Sequence, residues 1–168
     1  DPEKFDAETI LKMRQHQNDL YMRLLIENVP VIDGVVETLQ ALHAKVRMAI
    51  VTSSRKNHFD QIMQSSKIQD YFDFFIVAED VQKHKPHPDS YQLALERMGL
   101  HPDECIAVED TERGVRAAKA AGLRCFAIPT PLSKSNDFSM ADRMLGNVRE
   151  IISIVMEENS LETEPRQA

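Results

Sequence analysis

Two adjacent carboxylates follow a short apolar run in the second half of the chain. Ile106, Ala107 and Val108 are apolar, and Glu109 and Asp110 come directly after them. Such a run is typical of a strand that is buried on both faces, and in an open α/β sheet ligands bind at the carboxyl ends of the strands. Adjacent carboxylates at that position are hard oxygen ligands suited to Mg²⁺. Taken alone, the pair is more often a solvated turn with a helix cap, so the metal-site interpretation depends on other residues.

Hydroxyl and ammonium side chains occur near two other predicted strand ends. Thr52 and Ser53 follow the predicted strand at 46–51, which ends in apolar residues, and Lys85 closes a polar loop that begins at Ala78. A strand-terminal hydroxyl with free N–H groups beyond it can bind phosphate oxygens near a helix N-terminus. A lysine at the same place would neutralise charge on a transferring phosphoryl group. Each also has a simpler explanation, because Ser53 could cap the next helix and Lys85 could be a surface lysine.

The elements that would position these residues alternate along the chain. The hydrophobic pattern and the helix-breaking residues predict helices near 5–28, 33–43, 55–66, 91–98, 111–121 and 148–156, and strands near 46–51, 71–77, 105–108, 124–128 and 141–145. This alternation predicts an α/β fold, a doubly wound, Rossmann-like parallel sheet with helices on both faces. Right-handed crossovers would place all strand ends on one rim. The hydroxyls, the lysine and the carboxylates would then gather there.

Composition limits the kinds of partner and compartment. The chain has 168 residues, 42% of them hydrophobic, and a formal net charge of −7 with no basic stripe, so nucleic acid and anionic membranes are poor partner candidates. No apolar run reaches membrane-spanning length, and the N-terminus does not resemble a signal peptide. The two cysteines, Cys105 and Cys125, fall in predicted strands, which favours reduced core thiols and a cytoplasmic protein.

Three motifs occur in a specific order: Val51-Thr52-Ser53-Ser54, then Lys83-His84-Lys85-Pro86-His87-Pro88 leading to Ala94-Leu95-Glu96-Arg97-Met98-Gly99-Leu100, then Val108-Glu109-Asp110-Thr111-Glu112-Arg113-Gly114. Together they resemble the haloacid dehalogenase (HAD) superfamily, in its phosphoglycolate phosphatase and β-phosphoglucomutase-like branch. Lys-Pro-x-Pro followed at this distance by Glu-Asp-x-x-x-Gly is a specific combination, whereas Thr-Ser alone is weak. The match runs from about Val29 to Ile154.

This resemblance implies a Mg²⁺-dependent phosphatase that acts on a small phosphorylated metabolite. Lys85 resembles the catalytic lysine that steadies the nucleophile and the phosphoryl group. Thr52 or Ser53 resembles the phosphate-binding hydroxyl, and Thr52 is favoured because it directly follows the apolar run. Asp110 resembles the Mg²⁺ ligand, with Glu109 acting directly or through a water. A phosphomutase-type relative is not distinguished from a phosphatase.

The predicted organisation has three parts. Residues 1–29 resemble the end of a helical cap, residues 30–156 form the α/β core, and the acidic tail at 157–168 is expected to be disordered.

One departure from the family pattern stands against this interpretation. The family's nucleophile and its general acid/base lie in an Asp-x-Asp motif on a first, central strand, and no Asp-x-Asp occurs in this sequence. Asp1 precedes a helix, and Asp33 stands at a helix start. We therefore expect a gap in the sheet and no turnover through a phospho-enzyme.

Three explanations of the missing motif are open, and a fragment or mispredicted product of a phosphatase is favoured. The alternatives are a subunit completed by a second chain, a swapped segment or an oligomer, and a non-catalytic α/β module that binds a partner through its exposed sheet edge.

Overall fold

The computed structural model describes residues 6–27 and 31–162, and these form an α/β architecture. The helices are α1 Ala7–Glu27, α2 Val35–Leu42, α3 Lys56–Ser66, α4 Asp89–Met98, α5 Glu112–Ala120 and α6 Glu150–Glu162. The strands are β1 Ala49–Val51, β2 Phe74–Ile76, β3 Ile106–Glu109, β4 Arg124–Ala127 and β5 Arg143–Met144. Strands and helices alternate from β1 to β4, so the predicted fold class is confirmed. Within the described ranges, no helix is both long and apolar enough to cross a membrane.

The strands form two parallel sheets. β1 pairs with β2, and Ile50 lies opposite Phe75. The second sheet has the order β3-β4-β5, with Val108 opposite Phe126 and Phe126 opposite Arg143. Within the described residues no hydrogen-bonded ladder joins the two sheets, so the sheet is interrupted between β1 and β3. This interruption agrees with the gap that the missing Asp-x-Asp strand predicts.

Helices cover both faces of the larger sheet. On one face, a cluster centred on Tyr91, Val115 and Cys125 joins α4 and α5 to β3 and β4. Small residues allow α5 to pack closely on β3 and β4, since Ala117 and Ala118 of α5 are fully buried in this cluster. On the other face, α2 and α6 pack over Phe126 in a second cluster that also contains Leu42, Leu145, Ile151 and Ile154. A third cluster packs α3 on β2 through Phe59, Met63 and Val77.

Local sequence signals begin and end the helices that frame the site. The Thr111 hydroxyl accepts a hydrogen bond from the Gly114 N–H at 3.2 Å, which makes Thr111 the N-cap of α5. Gly99 ends α4 with a φ of 64°, and Gly122 follows α5 with a φ of 84°. Both are left-handed conformations that glycine adopts without steric cost.

Contacts between residues far apart in sequence join α6 to α2 and α1 to α3. Arg149 at the start of α6 bonds to the carboxylates of Asp33 and Glu37 at the start of α2. On the opposite side, α1 packs along α3, where the Asn18 side chain lies 2.7 Å from the His58 ring nitrogen. These contacts hold the predicted cap remnant and the closing helix against the core.

Two sequence predictions need correction. The prediction of a disordered tail from Glu157 was wrong for its first residues, because α6 continues to Glu162 and the Arg124 guanidinium pairs with the Glu158 carboxylate at 2.5 Å. Residues 163–168 lie outside the described residues, as do residues 1–5, which include Asp1. The strand predicted at 46–51 is shorter, because β1 begins only at Ala49.

Candidate active site

A cavity of about 490 Å³ opens between β1 and β3 at their carboxyl ends. One side consists of the end of β1 and the residues that follow it, from Ile50 to Ser54. The other side consists of the end of β3 and the start of α5, from Val108 to Thr111, and Lys85 lies between the two sides. All five residues that the sequence predicts for the site line this cavity: Thr52, Ser53, Lys85, Glu109 and Asp110.

The ammonium group of Lys85 bridges the two sheets. Its Nζ donates to the Val51 carbonyl oxygen of β1 at 2.8 Å and to Oε1 of Glu109 on β3 at 2.5 Å. The two side chains are only 9% and 6% exposed, so the ion pair is weakly screened by solvent. An ammonium carries three protons, and these two bonds leave one for a ligand in the cavity, as far as the described residues show. Lys85 is therefore a buried, hydrogen-bonded cation at the cavity and not a surface lysine.

Tyr91 and Gly114 enclose the Glu109 carboxylate. The buried Tyr91 hydroxyl donates to the same oxygen, Oε1, at 2.5 Å. Burial, together with the charge of Glu109, raises the pKa of Tyr91 well above its ordinary value, so the phenol stays protonated and remains a donor. Gly114 leaves room for the carboxylate, because a Cβ on that residue would lie 1.8 Å from Oε2 of Glu109. The Glu-Asp-x-x-x-Gly motif therefore needs glycine at position 114, because any side chain there would collide with the Glu109 carboxylate.

The hydroxyl side of the cavity is arranged by a short turn after β1. The Thr52 Oγ1 accepts a hydrogen bond from the Ser54 N–H at 3.0 Å, which leaves its own proton available to a ligand. Ser53 is exposed at the cavity. The alternative that Ser53 caps α3 is wrong, because the N-cap is Arg55 and the Lys56 N–H donates to the Glu79 carboxylate at 2.9 Å. Both hydroxyls are therefore free of a helix-capping role.

Asp110 is the exposed carboxylate of the site. It lines the cavity beside Glu109 and begins the turn into α5. In the described ranges, no three His, Cys, Asp or Glu side chains converge into a metal-binding group. A pair of carboxylates is nevertheless the donor set of a Mg²⁺ ion that keeps several waters and meets a substrate phosphate. The chemistry of the two acids thus fits that ion, with Asp110 as the more available ligand.

Arg113 fixes the main chain at Lys85. Its guanidinium donates from Nε at 3.1 Å, and also from a terminal nitrogen, to the Lys85 carbonyl oxygen. Sequence reasoning missed Arg113, Tyr91 and Glu79 as contributors to the site. The Tyr91 ring follows the Lys-Pro-x-Pro motif at helical spacing and looked like an ordinary core residue. The partners of Arg113 and Glu79 lie 28 and 23 residues away in sequence, so no local signal marked them.

A second cavity, of about 310 Å³, lies at the opposite ends of β1 and β2. It is lined by residues that precede these strands, from His43 to Arg47 and from Asp70 to Asp73. Its own charges are partly paired, since Arg47 bonds to Asp73 at 3.0 Å. Ligand sites of open α/β sheets lie at the carboxyl ends of strands, so the cavity between β1 and β3 is the candidate site.

Comparison with known proteins agrees with this fold. Residues 2–128 match the family model of haloacid dehalogenase-like hydrolases. That match covers most of the chain and includes Lys85, Glu109 and Asp110. The chain therefore belongs to the haloacid dehalogenase-like hydrolase family, and the predicted resemblance is confirmed.

Individual relatives include enzymes of the predicted branch. The chain is 31% identical over 138 residues to protein CbbY of Rhodobacter capsulatus, covering 79% of this chain and 61% of that protein. It is 34% identical over 116 residues to the phosphoglycolate phosphatase of Escherichia coli, covering 68% and 46%. The crystal structure of CbbY from Rhodobacter sphaeroides in complex with phosphate superimposes with a TM-score of 0.76 at 27% identity, covering 84% and 65%. The chain spans between 50% and 64% of the length of the first three curated relatives that it matches.

Proposed function

We propose that this chain is the α/β core of a Mg²⁺-dependent phosphatase that acts on a small phosphorylated metabolite. The observation that carries the proposal is the buried Lys85 ammonium, which shares one cavity with the Thr52 hydroxyl and the Asp110 carboxylate. A fixed cation and a hydroxyl donor suit a phosphate group. The family membership supports the proposal, as do relatives that include a phosphoglycolate phosphatase and a protein crystallised with phosphate.

Each residue has a distinct task in this proposal. Lys85 directs its remaining proton at a phosphoryl oxygen, and its burial keeps that charge effective. Thr52 donates its hydroxyl proton to a second oxygen, and Ser53 offers its N–H and hydroxyl beside it. Asp110 holds Mg²⁺, with Glu109 next to it, and that ion neutralises phosphate charge when it is bound. Glu109 also serves as the counter-ion of Lys85.

In this proposal the nucleophile comes from a further strand. The 168 residues contain no Asp-x-Asp. Of the two carboxylates in the described ranges that line the cavity, Glu109 is held by Lys85 and Tyr91, and Asp110 is the proposed Mg²⁺ ligand. All described strand pairs are parallel. A strand lying parallel between β1 and β3 would therefore deliver its carboxyl end to the cavity, where the family resemblance requires the nucleophile. We accordingly expect this chain alone to bind phosphate without turnover.

The test compares this chain with a chimera. The chimera carries, ahead of these residues, an N-terminal strand with the Asp-x-Asp motif that the family resemblance implies. Hydrolysis of phosphoglycolate and of p-nitrophenyl phosphate is followed with and without Mg²⁺. We expect hydrolysis by the chimera only. Lys85→Ala and Asp110→Ala should each reduce it by about 10²-fold or more, which is the usual effect of removing a group that stabilises the transition state.

Matched controls separate the site from general charge effects. Lys134→Ala and Asp103→Ala remove an exposed lysine and an exposed aspartate that do not line the cavity, and both should leave hydrolysis unchanged. A folded chimera that hydrolyses neither ester would contradict the proposal. Hydrolysis by the unmodified chain that is lost in Lys85→Ala would show instead that a nucleophile is already present in these residues.

A second candidate is a non-catalytic module completed by a partner strand. The interrupted sheet favours it, because β1 and β3 border a gap and Val108 in the middle of β3 is 43% exposed. Unpaired strand edges readily accept an added strand. This candidate is supported if a folded chimera is inactive while the unmodified chain forms a stable complex or oligomer in sedimentation experiments.

A further inference from the structure

One aromatic residue contacts both members of the buried ion pair. The Tyr91 hydroxyl lies 2.5 Å from Oε1 of Glu109, and its ring centroid lies 4.8 Å from Nζ of Lys85. Tyr91 projects from the first turns of α4, and its side chain is buried. Tyr91 therefore contacts Glu109 and Lys85 from the protein interior. It does not line the cavity where Thr52 and Ser53 would meet a phosphate group.

The Tyr91 hydroxyl is the second side-chain donor to one oxygen of the Glu109 carboxylate. The terminal torsion of a glutamate is broad and roughly two-fold, so packing alone does not select one orientation. Here Oε1 receives both Lys85 and Tyr91, while Oε2 lies against Gly114. Without the phenol proton, Oε1 would have only the flexible lysine as a donor, and the two groups could move together.

The main chain of Lys85 is held independently of this arrangement. The Arg113 guanidinium binds the Lys85 carbonyl oxygen, so the backbone position does not depend on Tyr91. Only the far end of the four-carbon side chain remains to be placed, and lysine ammonium groups take their position from their acceptors. It has two acceptors, the Val51 carbonyl and the Glu109 carboxylate, and Tyr91 donates to the second of them.

We propose that Tyr91 is a positioning residue that fixes the Lys85 ammonium at the cavity by orienting the Glu109 carboxylate. This inference deepens the proposed function and rests on it for the identity of the ligand, a phosphate group. The position of the ammonium itself can be measured without any ligand. The replacement Tyr91→Phe isolates the role of the hydroxyl because it keeps the ring, and with it the contact to the ammonium.

The experiment observes the Lys85 ammonium directly in the full chain. With ¹⁵N-labelled lysine, a buried and hydrogen-bonded ammonium gives a slowly exchanging proton signal, which is assigned by its loss in Lys85→Met. In Tyr91→Phe we expect this signal to shift and its protons to exchange about tenfold faster or more, the factor that corresponds to about 1.4 kcal/mol. Tyr71→Phe removes a hydroxyl from a half-buried tyrosine outside the site and should change neither quantity.

A second measurement changes the donor strength of the hydroxyl without removing it. Replacing all three tyrosines by 3-fluorotyrosine strengthens the phenol as a donor and keeps every contact, and the Lys85 signal should shift. An unchanged Lys85 signal and exchange rate in both Tyr91→Phe and the fluorinated chain would overturn the inference.

Titration with inorganic phosphate and Mg²⁺ then tests the ligand. Weaker phosphate binding by Tyr91→Phe than by the unmodified chain supports the inference together with the proposed function. If the unmodified chain binds no phosphate but the Lys85 signal still responds to Tyr91, the proposed function fails while the positioning role stands.

Discussion

Replacing Gly114 by alanine is expected to break the buried ion pair at the centre of the site. A Cβ at this position would lie 1.8 Å from Oε2, 2.1 Å from Cδ and 2.5 Å from Oε1 of Glu109. These distances are far inside van der Waals contact, and the carboxylate cannot absorb them by a small rotation because three of its atoms are approached at once. The Glu109 side chain must therefore move out of its position. Lys85 then loses its counter-ion, and the Tyr91 hydroxyl loses its acceptor.

The magnitude follows from two opposing effects. Separating a buried pair so that its charges lose their partners costs about 3–5 kcal/mol, whereas glycine to alanine inside a helix contributes about 1 kcal/mol of stability. We expect a net loss of about 2–4 kcal/mol in the free energy of unfolding. Urea denaturation followed by circular dichroism measures this loss, with an m-value close to that of the unmodified chain if the denatured state is unaffected.

A matched background separates the clash from any other effect of the alanine. The double variant Lys85→Met, Glu109→Ala removes both charges and empties the space beside Gly114. In that background Gly114→Ala should be neutral or should stabilise the protein by up to about 1 kcal/mol. The reasoning is refuted if Gly114→Ala costs the same in both backgrounds, or if it costs less than about 1 kcal/mol in the unmodified chain.

Three further predictions concern the core and the surface. Burial raises the pKa of the Cys125 thiol from 9.0 to about 12. Its contribution to the free energy of unfolding should therefore be fully present below about pH 9 and should be lost as the pH rises towards 12, because only the unfolded chain loses the thiol proton in that range. In Cys105→Ser, the remaining thiol should stay unreactive towards a disulfide reagent at pH 8 until the chain is unfolded, and rapid labelling of the native protein would contradict this. Arg149→Gln should lower stability only slightly, because its two carboxylate partners are exposed, and the effect should shrink further in high salt; a loss that salt does not change would argue for a packing role. Leu42→Ala should cost about 2–5 kcal/mol in urea denaturation because Leu42 is buried in a core cluster, whereas Leu132→Ala at a fully exposed leucine should cost almost nothing, and equal costs would be unexpected.

The sequence by itself determined the features that depend on a few neighbouring residues. Thr111 caps α5 and Gly99 ends α4 because cap geometry involves only residues within one helical turn. The alternation of apolar runs with helical patterns was enough to predict parallel strands, and parallel strands with helical crossovers carry their carboxyl ends to one rim. For that reason Lys85 could be predicted to share a site with Glu109 and Asp110, although it lies 24 residues before Glu109 in the chain.

The tertiary structure decided the features that depend on which distant groups meet. Ser53 was a plausible cap for α3, but Glu79 reaches the helix start from a turn 23 residues away, and no local pattern shows which acceptor is closer. The burial of Lys85, the orientation of Glu109 by Tyr91 and the clamp of Arg113 on the Lys85 carbonyl likewise arise only when α4 and α5 pack beside the interrupted sheet. The residue types and their order determined which chemistry was available. Packing determined which oxygen of Glu109 faces the lysine, because side-chain orientation is chosen by contacts across the fold and not by sequence neighbours.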